Sequence, residues 1–217
     1  MSHPNLNPLQ GKKPSQLIET LRGQIARLEG VHRPVSPEGV SSGCVALDRL
    51  LPGGGFRRGT LVEWLSGADG AGAASLAIAA AREACREGGA VVVLDPRHEF
   101  YPPAAVRAGI APHGLLVVQP ATEADSCWAL DQALRCLGVA ALLAWPDRLD
   151  GHTFRRLQLA AEEGGCLGLL LRPQTVLAEP SWADVRLKVE PLPALEAAAA
   201  GRRLKIDLLR CRHGAGG

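Results

Sequence analysis

The stretch SGADGAGAASLAI, residues 66–78, has the outline of a loop that wraps phosphate between a strand and a helix. The full pattern is G-x-x-x-x-G-K-[ST], and this chain carries Ala73 in place of the lysine and Ala74 in place of the hydroxyl residue. The glycines of the loop are Gly67, Gly70 and Gly72. Because glycine tolerates tight turns, we predict that they preserve the strand-to-helix turn, although the groups that hold a triphosphate and Mg²⁺ are missing.

The segments on both sides of this loop alternate between strand-like and helix-like patterns. Short apolar runs such as AVVVL predict strands covered on both faces, and apolar residues at helical spacing lie between them. The predicted strands are 60–65, 90–94, 115–119, 139–145 and 166–172. The predicted helices are an Ala-rich helix ending near 88–89, then 104–108, 124–137 and 153–163. This order predicts an α/β fold with a mostly parallel β-sheet flanked by helices.

The C-terminal part has a different pattern. Residues 185–192 (VRLKVEPL) and 203–210 (RLKIDLLR) each alternate apolar and polar side chains. Such alternation is typical of half-buried antiparallel strands. We therefore predict an antiparallel extension at one edge of the parallel sheet.

The N-terminal part predicts a helix that is separate from the sheet domain. The predicted order is a disordered lead-in (1–14), an amphipathic helix (15–29), a linker (30–43), the core domain (44–213) and a flexible tail (214–217). The apolar stripe of the helix consists of Leu17, Leu21, Ile25 and Leu28. Two interpretations remain open at this point, since the stripe can pack on its own domain or dock on a partner.

The amino-acid composition bears on which partners the protein can bind and on which cellular compartment it occupies. The chain has 217 residues, 47% hydrophobic and 21% charged, with a net charge of +2, which is ordinary for a globular domain and low for a DNA-binding one. Aromatic residues make up 4%, which argues against a base-stacking platform. The six cysteines form no C-x-x-C pair, and no signal region or membrane-length apolar run occurs. We predict a cytoplasmic protein without a metal site or membrane contact.

Three stretches in this order resemble the core of the RecA recombinases. SSGCVALDRLLPGGGFRRGTLVEWL, which precedes the glycine loop, resembles the S-G-x-x-x-L-D turn, glycine cluster and G-x-[LIV]-x-E strand of that core. VVVLDPRHEFYPPAAVRAGI resembles the segment that carries the catalytic glutamate, and GLLVVQPATEADSCWALDQALRCLGVAALLAWPDRL resembles the stretch ending at the Walker B strand. The resemblance covers about residues 41–212 and implies a RecA-like core with a degenerate phosphate loop.

Two further features resemble the ImuA branch of this superfamily, namely the N-terminal helix with I-A-R-L-E-G and the ending L-K-I-D-L-L-R-C-R. That resemblance implies an accessory protein of SOS-induced translesion DNA synthesis and mutagenesis. The implied partners are an inactive Y-family polymerase homologue (ImuB-like), an error-prone replicative-type polymerase and RecA. The SulA branch of cell division inhibitors is a neighbouring alternative, and a DNA-stimulated ATPase with a non-standard phosphate loop is another.

The departures from the RecA pattern predict that the chain binds no cofactor and has no catalytic residue. The position of the catalytic glutamate carries Arg97, and the position of the Walker B aspartate carries Trp145. The nearest carboxylates, Glu99 and Asp147, are each displaced by two residues. Our hypothesis is that Trp145 fills the volume of the lost nucleotide and metal, so that Trp145→Asp would cost about 3–5 kcal/mol.

Basic residues occur in two groups along the chain. They are Arg155 and Arg156 in one helix, and Arg202, Arg203, Lys205, Arg210 and Arg212 near the C-terminus. A solvated, charge-balanced strand face is one interpretation, and contact with phosphate or an acidic protein is the other. The segments 146–152 and 173–184 are short where RecA has long Gly-rich DNA-binding loops, so we predict weak or indirect DNA binding. Arg203 and Lys205 are the predicted partner-binding residues of this strand.

Overall fold

The computed structural model describes residues 39–67, 70–193 and 202–212. The predicted N-terminal helix with its stripe Leu17, Leu21, Ile25 and Leu28 lies outside the described residues, as do the lead-in and the tail 214–217. Within the described ranges, no helix is long and apolar enough to cross a membrane.

One seven-stranded sheet forms the centre of the fold. Its strands are β1 (Leu61–Ser66), β2 (Ala90–Leu94), β3 (Leu115–Val118), β4 (Val139–Ala144), β5 (Leu167–Pro173), β6 (Val185–Leu192) and β7 (Arg203–Cys211). They are arranged in the order β3-β2-β4-β5-β1-β6-β7. The first six pair in parallel, and β7 pairs antiparallel with β6. The predicted α/β sheet with an antiparallel edge is therefore confirmed.

Helices cover both faces of the sheet. The α-helices are α1 (Val45–Asp48), α2 (Ala73–Ala84), α3 (Pro102–Arg107), α4 (Glu123–Arg135) and α5 (Gly151–Gly164), and short 3₁₀ turns lie at Pro52–Gly54, Pro112–Gly114 and Gln174–Ala178. Helix α2 packs on one face of the sheet against β4, β5 and β1, with Ala105 of α3 in the same core, whereas α4 and α5 pack on the other face. The alanines of α2 are small enough for the helix to lie close to the strands, and four of them are fully buried.

The central strands are apolar throughout because both of their faces are covered. All six residues of β4 are buried, and so are the first five of β1. Trp64 of β1 is fully buried and makes an edge-to-face contact with Phe56, with ring centroids 5.8 Å apart. Burial on both faces explains why continuous apolar runs marked these strands in the sequence.

Strand β6 differs from the half-buried antiparallel strand that its alternation suggested. It pairs antiparallel with β7 on one side but parallel with β1 on the other. Val185, Leu187 and Val189 pack under α2, while the side chains between them are only partly covered. The alternation therefore predicted correctly that one face of β6 is covered. It gave no information on whether each neighbouring strand runs parallel or antiparallel to β6.

Residues 39–43, which the sequence assigns to a linker, pack on the core. Val40 is buried and exchanges backbone hydrogen bonds of 2.6 and 2.7 Å with Phe56. The Asp48 carboxylate accepts hydrogen bonds from the Ser41 hydroxyl at 2.6 Å and the Ser42 amide at 2.7 Å. The S-G-x-x-x-L-D turn is thus held by its own aspartate, and this part of the core begins before residue 44.

Candidate functional site

A cleft of about 380 Å³ lies where the carboxyl ends of β1, β4 and β5 meet the start of α2. In parallel α/β sheets, ligands bind at this edge of the strands. The cleft brings together most of the predicted site positions. They are Gly67, Gly70, Gly72, Ala73, Ala74, Arg97 and Trp145, with Asp147, Arg172 and Arg202 beside them.

The glycine loop keeps the backbone turn that its pattern predicts. Gly72 caps the N-terminus of α2 with φ of +98°, and Gly70 has φ of +73°. A Cβ atom at Gly72 would lie 2.8 Å from the methyl carbons of Leu204. Gly72 is therefore required both by its left-handed backbone and by the side chain that packs against it.

The first turn of α2 presents methyl groups to the cleft. Ala73 is buried against the core, and Ala74 is partly buried beside it. An ammonium group and a hydroxyl group are what a phosphate loop uses for the β- and γ-phosphates and Mg²⁺. These two residues supply neither, and the hydroxyl that lines the cleft at this turn belongs to Ser75, one position later than the pattern requires.

An ion pair in the cleft joins Arg97, which stands at the position of the catalytic glutamate, to Asp147, which lies two residues after the Walker B position. The Arg97 guanidinium contacts the Asp147 carboxylate, and both side chains are at least half exposed. The Arg97 segment is shaped by Asp95, whose buried carboxylate accepts hydrogen bonds from the amides of Glu99 at 2.9 Å and Phe100 at 3.2 Å. Arg97 thus places a guanidinium at the position of the lost catalytic glutamate and pairs it with Asp147, the carboxylate nearest the lost Walker B position.

Trp145 lies at the junction of three clefts. It is partly buried and its ring packs at 6.2 Å from Phe100. Besides the glycine-loop cleft, it lines neighbouring clefts of about 520 and 270 Å³. Trp145 directly follows β4, and its indole forms a wall that the three clefts share, so the hypothesis that it fills the volume of the lost nucleotide and metal stays a prediction.

Strand β7 reaches the glycine loop, which sequence reasoning missed. The Arg202 guanidinium donates a hydrogen bond of 2.8 Å to the Gly70 carbonyl oxygen, and Leu204 packs against Gly72. These contacts join residues more than 130 positions apart. The sequence offered only a basic residue before an alternating strand, and no local pattern could have paired it with the loop.

A buried ion cluster supports the cleft from below. Both side chains of Glu63 and Arg172 are fully buried, and the carboxylate accepts hydrogen bonds from Arg172 at 2.7 Å and from Arg186 at 2.6 Å. Arg172 also donates to Glu179 at 3.0 Å and to the carbonyl oxygen of Pro146 at 3.4 Å. Glu63 therefore fixes, through Arg172, the turn that presents Asp147 to the cleft.

The basic residues near the C-terminus do not form one patch. Arg203 and Lys205 lie at the cleft end of β7, whereas Arg210 and Arg212 lie at the other end. Arg212 stacks over Trp182 at 5.1 Å, and Arg155 of α5 stacks over the same ring at 5.0 Å. Burial lowers the pKa of the Arg210 guanidinium, which donates to the Ser181 carbonyl oxygen. These cations have structural partners.

The two predicted partner-binding cations differ in their surroundings. Lys205 contacts Asp207 at 2.9 Å and Glu190 at 3.8 Å, and its hydrogen bond to Asp207 raises the pKa of the ammonium group. Arg203 is exposed and donates a long hydrogen bond of 3.4 Å to the Pro193 carbonyl oxygen. Arg203 is therefore the better placed of the two to meet a partner's carboxylate. Across the parts of the chain that the structure describes, no group of three or more His, Cys, Asp or Glu residues could hold a metal ion.

Comparison with known proteins gives two kinds of match. The chain matches the RecA N-terminal domain family over residues 17–143. It is 30% identical to protein ImuA of Caulobacter vibrioides over 193 residues. The matched region covers 81% of this chain and 79% of that protein. It is 36% identical over 122 residues to protein RecA of Chlorobaculum parvum, covering 54% of this chain and 35% of that protein. The chain thus spans about a third of the length of that RecA and most of the length of that ImuA.

Proposed function

The chain belongs to the RecA family and is an ImuA-type member of it, and from this premise we propose that it is a non-enzymatic accessory protein of translesion DNA synthesis. It acts in the cytoplasm during the SOS response as an adaptor for error-prone polymerases. Its proposed partners are an inactive Y-family polymerase homologue, an error-prone replicative-type polymerase and RecA. It contacts DNA weakly or through these partners.

The Arg97–Asp147 ion pair is the observation that carries this proposal. In a RecA-type ATPase, the region between these residues must accept Mg²⁺ and the γ-phosphate beside free carboxylates. Here a guanidinium occupies one side and neutralises the carboxylate on the other. Two further features oppose ATP binding in this cleft. They are the methyl groups of Ala73 and Ala74 and the contact of Leu204 with Gly72. These features argue against ATP turnover, and the similarity to ImuA supports the accessory role.

We expect the purified protein to hydrolyse ATP no faster than a buffer blank, with or without single-stranded DNA. Losing the lysine, the hydroxyl and the metal carboxylate together removes several charge-assisted contacts, each contributing about 1.5–3 kcal/mol. Phosphate release, followed with a coupled assay over hours, measures this directly. DNA-stimulated turnover that Asp147→Ala or Glu99→Ala abolishes would contradict the proposal, while turnover unaffected by both substitutions would indicate a contaminating ATPase.

Two surfaces are available for the adaptor role. The stripe of the predicted N-terminal helix, outside the described residues, suits insertion into an apolar groove. Arg203, at the cleft end of β7, is an exposed cation at the rim and suits steering of an acidic partner. Lys205 is a weaker candidate because two carboxylates of its own sheet already contact it.

We expect the double substitution Leu21→Asp and Ile25→Asp to abolish capture of the polymerase homologue, because two charges in an apolar groove would remain unpaired. Arg203→Glu should weaken the same capture about three- to tenfold at low salt and have less effect at high salt, since a rim charge is screened. Binding is measured by surface-immobilised titration of the full chain.

Arg107→Glu is the matched control for Arg203→Glu, because Arg107 is an exposed arginine at the end of α3, outside the cleft. It should leave capture unchanged. Wild-type chain that fails to bind the polymerase homologue, the replicative-type polymerase and RecA, but caps a tubulin-like polymer, would replace the adaptor role with the division-inhibitor alternative.

A further inference from the structure

The outer edge of β7 is a long strand edge at the end of the sheet. Arg203–Cys211 pairs with β6 on its inner side, and no other described strand pairs with its outer side. Such an edge presents a row of backbone N–H and C=O groups and is a template for a further strand. Whatever strand pairs there must match the side chains that β7 presents on its two faces.

One face of this edge carries a ladder of alternating charges. In the register of the sheet, Glu190 of β6 lies opposite Lys205 of β7, and Lys188 lies opposite Asp207. Lys205 contacts Glu190 at 3.8 Å and Asp207 at 2.9 Å, and all of these side chains are partly exposed. The charges of β7 on this face are therefore Arg203, Lys205 and Asp207, of which Lys205 and Asp207 belong to the ladder.

The other face of the edge is apolar and incompletely covered. Leu204, Ile206 and Leu208 pack on the core beneath α2, but each remains only partly buried. Beyond them a bulge between β6 and β7 changes the register, so that Arg186 lies opposite Arg210. The register is therefore regular over residues 203–208, and the apolar side chains of this stretch, at 204, 206 and 208, are centred on Ile206.

A second copy of this chain matches residues 204–208 of the edge in a register centred on Ile206. In a two-fold symmetric antiparallel pair, residue i of one strand lies opposite residue j of the other, and j opposite i. A register centred on Lys205 or on Asp207 places like charges opposite each other, and shifting by a single residue mixes the polar and apolar faces. Centring on Ile206 avoids both faults over residues 204–208. Beyond this stretch Arg203 lies opposite Leu209, and Arg202, which precedes β7, lies opposite Arg210.

We propose that two copies of the chain associate through β7, antiparallel and centred on Ile206, to form one continuous sheet. Lys205 of each copy then lies opposite Asp207 of the other, and Leu204 lies opposite Leu208. Each charged row reads Glu190, Lys205, then Asp207 and Lys188 of the second copy, so that its signs alternate throughout. On the apolar face, Ile206 of one copy lies opposite Ile206 of the other, so the two apolar rows form one continuous row. This association does not depend on the proposed role in translesion synthesis.

Sedimentation equilibrium of the full chain over a concentration series tests the proposal. The wild-type chain should approach twice its monomer mass of 22.8 kDa. Lys205→Asp alone and Asp207→Lys alone each place two like-charge pairs in the dimer, so the dissociation constant should rise at least about tenfold in each case. Arg107→Asp, an exposed charge reversal on α3, is the control and should associate as the wild type does.

Mixing the two variants is the decisive step. In a heterodimer, the aspartate introduced by Lys205→Asp faces the lysine introduced by Asp207→Lys. The unchanged Asp207 of the first variant faces the unchanged Lys205 of the second, so both cross-strand pairs have opposite charges. The equimolar mixture should therefore regain dimer mass, and a tagged copy of one variant should capture the other. Circular dichroism of each variant separates loss of association from loss of fold.

Three results would overturn the proposal. One is a wild-type chain that stays monomeric at high micromolar concentration. Another is a pair of folded single variants that associate as strongly as the wild type. The third is a mixture of the two folded variants that remains monomeric, since charge matching across β7 would then play no part.

Discussion

Replacing Glu63 by leucine is expected to lower the free energy of unfolding by about 3–5 kcal/mol. The carboxylate accepts hydrogen bonds from Arg172 at 2.7 Å and Arg186 at 2.6 Å. Without it, the guanidinium of Arg172 keeps Glu179, two backbone carbonyl oxygens and the ring of Phe154 as partners. The loss is expensive because Arg186 loses its carboxylate partner and the buried Arg172 loses one of two, where water cannot replace them. Urea denaturation followed by circular dichroism measures the loss.

The matched control is Glu163→Leu at the end of α5. Its carboxylate, 66% exposed, contacts Arg135 at the surface, so the same substitution should cost less than about 1 kcal/mol. Glu63→Gln should lie between the two, since a neutral amide oxygen still accepts one hydrogen bond. A Glu63→Leu variant that loses no more stability than Glu163→Leu would show that Arg172 and Arg186 find adequate partners elsewhere.

The buried cluster also connects stability to the candidate site. Arg172 donates long hydrogen bonds to the carbonyl oxygens of Pro146 at 3.4 Å and Asp147 at 3.5 Å. The turn after β4 is thereby attached to the centre of the sheet. Since the same turn presents the Asp147 carboxylate to Arg97, the exposed ion pair of the cleft depends on a buried one.

The parts of the fold that depend on local pattern could be predicted from the sequence. The AVVVL run predicted β2 over the residues that form it, and VRLKVEPL did the same for β6. Both succeed because burial on two faces or on one face leaves a period that a few neighbouring residues display. The glycine loop is equally local, since a tight turn needs glycine wherever the chain goes next.

The parts that depend on distant contacts could not be predicted. Arg202 reaches Gly70, and Arg97 reaches Asp147 across 50 positions. Nothing in the pattern around Arg97 indicates a partner in another loop, and the motif comparison could only report which residue had been lost there. The N-terminal boundary of the core shows the same limit, because Val40 lies in the Gly- and Pro-containing stretch predicted as a linker (30–43) but is hydrogen-bonded to Phe56 of the core.

Trp145→Asp is expected to lower the free energy of unfolding by about 2–4 kcal/mol, although it restores the residue type of a Walker B strand end. The indole packs against Phe100 and lines three clefts, so its loss leaves an unfilled junction beside a new carboxylate. Because Trp145 is only partly buried, this value lies below the roughly 3–5 kcal/mol that a fully buried tryptophan would give. The melting temperature should fall by several degrees.

Two other variants separate packing from charge in this prediction. Trp145→Phe keeps an aromatic ring against Phe100 and should lose less than half as much stability as Trp145→Asp. Trp128→Asp makes the same substitution on α4, where the side chain is 66% exposed, and should cost less than about 1 kcal/mol. If Trp145→Asp melts no lower than Trp128→Asp, the indole does not support the edge of the sheet. The cleft wall would then owe its shape to the Arg97–Asp147 pair and to Leu204 instead.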